Sequence, residues 1–253
     1  MFLKNIFMLG LTLFITVSCG EDDLISTIGG SDSSSLPALS SLIENPTAQF
    51  IVDAESLAKL DTDLSHPFIG ANESCAHQGA HLHFNAEEST YYVNVYSPVD
   101  AIVERVSKCF DLGNDHDKYD VSLKIATLDG ELVSLGLSLE PMDPAGVHCD
   151  ENPNYYEDYI DVSEGDSIKK GDRIGRLIVL PNHEGNHIHF HIQYDNNHLC
   201  PNIFNSDVVS NVTAAWATNS CSSELSPNPN LVGEFGNTFC YQPTEDEDIT
   251  GLD

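Results

Sequence analysis

The chemistry in this sequence is concentrated in histidine. His187-Ile188-His189-Phe190-His191-Ile192 alternates imidazole with an apolar side chain without a break. Successive side chains on a strand point to opposite faces. A strand here therefore sets His187, His189 and His191 on one face and Ile188, Phe190 and Ile192 on the other. His81-Leu82-His83-Phe84-Asn85 repeats the pattern, with His81, His83 and Asn85 together and Leu82 and Phe84 facing inward. His77 lies just upstream in His77-Gln78-Gly79-Ala80-His81. A single histidine on a sheet is more often a solvated polar residue, but two clusters in strict alternation point to a metal. Catalytic zinc takes three protein ligands and leaves a position for water. Neutral imidazole suits zinc, and also copper and nickel, so histidines alone do not choose the ion.

The elements that position these residues read as strands. Tyr91–Tyr96, Ala101–Val106 and Val121–Ile125 are β-branched or aromatic runs. Asp129-Gly130 separates Leu123-Lys124-Ile125-Ala126 from Leu132-Val133-Ser134-Leu135, a hairpin signal because Asp-Gly tolerates positive φ. One short helix is expected near Ala54 to Leu60. In Val162–Gly175 two Gly-Asp turns, Gly165-Asp166 and Gly171-Asp172, frame a short strand, and Ile174 starts the next. The expected fold is all-β: a mainly antiparallel core over residues 49–205 with short helices, presenting both histidine strands to one groove. Residues 206–253 read as a cysteine-containing, disulfide-tied extension with an acidic tail.

The order of motifs from His77 to about Pro201 resembles the lysostaphin/LytM-type zinc metallopeptidases. That family has a His-x-x-x-Asp segment, then a strand similar to Val95-Tyr96-Ser97-Pro98-Val99-Asp100-Ala101-Ile102-Val103. A Gly-Asp turn as at Gly165 to Gly171 follows, and last a His-x-His-Phe element as at His187 to Phe190. The resemblance implies His189 as a zinc ligand and His187 as a catalytic histidine. The His-x-x-x-Asp pair can be placed as His81 and Asn85, which the spacing favours, or as His77 and His81; His81 is a ligand in both. Two departures stand out. Asn85 is neutral where the family has a carboxylate, and the family's histidine in a Tyr-x-His-Leu strand is missing from Ser134–Leu139, where Leu137 stands about at its place; His148 lies nearby in loop-like text. The resemblance implies zinc-assisted hydrolysis of peptide cross-bridges in peptidoglycan. Three readings stand open: an altered enzyme, a non-catalytic relative that binds cell wall or regulates a cell-wall enzyme, and an unrelated lipoyl-barrel-like binding or structural lipoprotein.

The N-terminus points to export. Lys4 precedes an apolar run from Ile6 to Val17, shorter than the roughly 20 residues that span a bilayer and of signal-peptide length. It ends at Val17-Ser18-Cys19-Gly20, which resembles a lipobox, so Cys19 is the expected lipidation site and the membrane is reached through that anchor. The expected organisation is a signal peptide over 1–18 and a polar tether over 19–48. The cell envelope is the expected location. Setting Cys19 aside, six of the seven cysteines remain, an even number that favours disulfides in an exported chain. No Cys-x-x-Cys pair suggests a zinc knuckle. With 40 acidic against 10 basic residues, the chain lacks the basic footprint of nucleic-acid binding. No Gly-x-Ser-x-Gly elbow and no Gly-rich phosphate loop is present.

Overall fold

Asp129 and Gly130 adopt φ of 52° and 88°, the left-handed pair that a tight hairpin turn requires. They join β4 (Asp117–Leu128) to β5 (Glu131–Glu140). Around this hairpin a seven-stranded sheet forms in the order β1-β8-β5-β4-β3-β6. Its other members are β1 (Ala80–Phe84), β3 (Ala101–Asp111), β6 (Ser167–Ile168) and β8 (Asn186–Tyr194). β9 (Asn197–Leu199) pairs with the far end of β8. β2 (Tyr91–Tyr96) and β7 (Arg173–Val179) make a separate two-stranded sheet. Every strand pair is antiparallel, so the all-β expectation holds. The computed structural model describes residues 36–61, 64–65, 80–112, 116–142, 148–181, 183–194, 197–199 and 203–216.

The two sheets share one core. Leu82, Phe84, Leu135, Leu137, Leu139, Ile188, Phe190 and Ile192 line the large sheet, and Val93, Val95, Ile174, Leu177 and Val179 line the small one. Each such side chain contributes about 1.5–3 kcal/mol on burial. Tyr119 on β4 ties the layers. Its hydroxyl donates to the Arg176 carbonyl at 2.7 Å and accepts from the Ile178 amide at 3.2 Å, both on β7. Burial pushes the Tyr119 phenol up, so it stays protonated and able to donate.

The Gly-Asp turns form as their sequence suggests. Gly165 and Gly171 have φ of 87° and 91°. The following carboxylates accept from backbone three residues earlier, Asp166 from the Ser163 amide and Asp172 from the Lys169 amide. The short helix near Ala54 is α2 (Ala54–Leu57), with Asp53 accepting from the Ser56 amide at 2.7 Å. Packing continues on both sides of residues 49–205. Leu39 in α1 (Leu39–Glu44), Ala48, and Val212 in the helix Ser206–Trp216 all belong to the core. Phe50 stands edge-on to Phe190 with ring centres 5.7 Å apart. Among the described residues no helix is long and apolar enough to cross a membrane.

Cys109 on β3 is bonded to Cys149 in α3 (His148–Glu151), across a sequence separation of 40. Cys19, Cys75, Cys200, Cys221 and Cys240 lie outside the described residues, as do residues 1–35 with the expected leader. Closing a loop of that length removes freedom from the unfolded chain, a stabilisation typically of about 2–4 kcal/mol. A Cys109→Ser/Cys149→Ser variant should therefore lose about 2–4 kcal/mol in urea unfolding. A midpoint equal to the parent's would show that this bridge adds no stability.

Candidate functional site

The register between β1 and β8 brings the two histidine clusters face to face. His81 pairs with His189 and His83 with His187. Directly opposed side chains have Cβ atoms about 4.5–5.5 Å apart, and the rings stack accordingly. Ring centres are 4.3 Å apart for His81 and His189, 4.7 Å for His83 and His187, and 5.0 Å for His81 and His187. On the other side of β8, β5 sets Gly136 against His191, Ser138 against His189 and Glu140 against His187. A Cβ on Gly136 would stand 2.4 Å from His191 Cε1, so the glycine leaves room for that ring.

The edge of this face carries a carboxylate between two imidazoles. Glu140 is only 6% exposed and His187 only 8%. Glu140 Oε2 lies 2.8 Å from His116 Nε2 and 3.2 Å from His187 Nε2. The His116 contact is close, yet the buried Nε2 makes no hydrogen bond of proper direction. Burial alone would raise the Glu140 carboxyl, but the nitrogens of His116 and His187 more than offset it, and the net shift is downward. His187 Nδ1 is 2.6 Å from the Gly185 carbonyl oxygen. A carbonyl only accepts, so the proton of a neutral ring must sit on Nδ1. Nε2 then either carries a second proton, making an imidazolium beside the carboxylate, or offers its lone pair to a cation.

Asn186 builds the scaffold next to these groups. Its Oδ1 accepts from the Met142 amide at 3.1 Å and the Leu180 amide at 3.2 Å; its Nδ2 donates to the Leu180 and His183 carbonyls at 3.2 and 3.0 Å. The side chain is fully buried. It clamps the start of β8, the 180–183 loop and the end of β5 together. Met142 in turn bridges to His116, so one amide fixes the backbone around His187, Glu140 and His116.

The structure thus places His81, His189 and His187 together on one face. Asn85 follows the end of β1, is exposed, and donates its amide to the Asp61 carboxylate. His77 and Cys19 lie outside the described residues. Leu137 faces the core, and the residues of β5 on the histidine side are Gly136, Ser138 and Glu140. Two donors escaped the reading of the sequence. Glu140 is the next step in the period-two series Gly136, Ser138, Glu140, one residue past where that strand was taken to end. His116 was hidden because Gly113-Asn114-Asp115 before it reads as loop.

No protein-family model matches the sequence, and no curated protein matches it. Solved structures do align. One is a zinc containing peptidase from Vibrio cholerae, at 16% identity and a TM-score of 0.36, over 61% of this chain and 38% of that one. Another is lysostaphin, at 13% identity and a TM-score of 0.33, over 74% of this chain and 58% of that one. The chain spans less than two thirds of the length of either. Likeness at this level transfers no residue roles, which must come from this chain's own side chains.

Each buried backbone group left without its partner costs about 1–3 kcal/mol. Asn186→Ala removes the partner of four part-buried backbone groups, so the variant should lose roughly 3 kcal/mol or more in urea unfolding. A loss under about 1 kcal/mol would show that the clamp does not hold the site together.

Proposed function

We propose that the chain is an exported cell-envelope protein, anchored by lipid at Cys19, whose β domain acts on or binds peptidoglycan as a zinc-metallopeptidase-like module with an altered site. The observation that supports this most is the pairing of His81 with His189 on adjacent strands, in the residues that carry the resemblance to lysostaphin/LytM-type enzymes. The donors suit zinc: two imidazoles stack across a strand pair with His81 only 5% exposed, and neutral imidazole is a favoured ligand. His81 and His189 would hold the ion, with Asn85 or His77 as third ligand. Zinc bound there would polarise a scissile carbonyl and acidify its water. The chain's own part is to orient and to hold a proton. Gly185 fixes the His187 ring through Nδ1, and Glu140 compensates a proton held on Nε2.

A second reading is a non-catalytic relative that binds cell wall or regulates a cell-wall enzyme. It is favoured by His187 having acceptors at both ring nitrogens and by Leu137 pointing into the core.

Elemental analysis of the full-length chain, purified without a histidine tag, tests the metal first. The His81→Ala/His189→Ala variant should carry one zinc ion fewer than the parent. Equal zinc in both would refute the ligand assignment. Release of peptide fragments from cross-linked peptidoglycan then separates the readings. In an active enzyme His187→Ala should slow release by roughly 10²–10⁴-fold; no release by the parent selects the non-catalytic reading.

A further inference from the structure

We propose that His116, Glu140 and His187 form a second divalent transition-metal site, distinct from the His81/His189 pair and on the same sheet face. It rests on three features of the chain and not on the resemblance. The first is convergence. One ligand atom from each of the three residues falls within 4.8 Å of the other two. The Cys109, Asp117 and Cys149 group converges as tightly, but its cysteines are spent in the disulfide. The separations of 2.8 and 3.2 Å from the carboxylate oxygen to the two nitrogens are close to the edge of a coordination tetrahedron. Ligands about 2.0–2.1 Å from a zinc-sized ion stand about 3.3 Å apart.

The second feature is the state of the nitrogens. His116 Nε2 is buried and 2.8 Å from the carboxylate without a directed hydrogen bond. An ion held between this nitrogen and the carboxylate oxygen would satisfy both. His187 shows the complementary sign. A metal-binding histidine almost always donates its other ring N–H to a carbonyl or carboxylate, which fixes the tautomer. His187 Nδ1 on the Gly185 carbonyl at 2.6 Å is that arrangement.

The third feature is support. The strand period puts His116 and Lys118 on the face of Glu140, and His116 bridges to Met142, whose amide is held by Asn186. The three ligands sit on backbone that one buried amide locks. Two imidazoles and a carboxylate make a donor set that takes zinc and other first-row divalent ions. Three protein ligands leave a position open to water or to a carboxylate or carbonyl of a bound molecule. With a cation in place, His187 is a ligand and not a proton donor.

Zinc titration of the chelator-stripped, full-length chain tests this by calorimetry, with stoichiometry checked by elemental analysis. In the His81→Ala/His189→Ala background one zinc-binding event should persist. Adding Glu140→Gln should abolish it. Adding His116→Gln instead should weaken it by more than the roughly 10–100-fold that loss of an outer-shell partner costs. His116 lies at the partly exposed rim, so this variant decides the matter should Glu140→Gln fail to fold; circular dichroism checks both. Cobalt should give visible ligand-field bands in the same background and lose them with His116→Gln. The proposal is overturned if the folded His81→Ala/His189→Ala chain binds no zinc, or if His116→Gln leaves affinity and stoichiometry unchanged. If instead the parent and the His81→Ala/His189→Ala chain each bind one zinc with equal affinity, and His116→Gln weakens it, the His81/His189 assignment fails and the site proposed here stands.

Discussion

Leu82 and Phe84 on β1 and Ile188, Phe190 and Ile192 on β8 are fully buried on one face of the large sheet, and that burial decides where the histidines go. Because the side-chain period of a strand is two, a one-residue slip of either strand would send its imidazoles into the core and its apolar residues out. Three buried side chains on β8 at about 1.5–3 kcal/mol each set a steep penalty against that slip. The polar face therefore needs no attraction between its own histidines to form. It is held from behind by Phe50, Phe190 and the small sheet.

That polar face is not an ordinary solvated one. His81, His187 and Glu140 are all buried there, and a buried charge must be paired or it is very costly. Glu140 answers this by sitting between two ring nitrogens, and His187 by placing its Nδ1 proton on a backbone carbonyl. Asn186 spends all its hydrogen-bonding capacity on backbone groups of two other segments, which ties the loop and strand ends that shape the face together.

Much of this was legible in the residues because it is local. Strict alternation in His187–Ile192 and His81–Phe84 gave strands and faces, Asp129-Gly130 gave the hairpin, and the Gly-Asp turns gave β6 and β7. What was not legible is long-range. Nothing in the sequence aligns His116, Glu140 and His187, which come together only through the β4–β5 and β5–β8 registers. Glu140 looked like the end of a strand and His116 like loop, since neither sits in an alternating run of its own kind. Asn186 was invisible for the same reason: an asparagine before a histidine strand has no signature until the segments it clamps are adjacent. The packing of Leu39 and Val212 into the core depends likewise on contacts far along the chain.

The position of Glu140 also changes what the histidine face can do. A histidine at this place on the sheet would offer a donor to negative charge developing on a bound molecule. Here Leu137 points inward, and the strand presents a carboxylate beside His187 instead. A carboxylate repels developing negative charge, so by itself it opposes that chemistry. It becomes useful when a positive partner sits against it, such as a proton on His187 Nε2 or a cation shared with His116. The backbone has already fixed the other nitrogen of His187, so this one atom carries the choice between proton donor and metal ligand. A face built this way is governed less by how many histidines it carries than by which cation answers one buried glutamate.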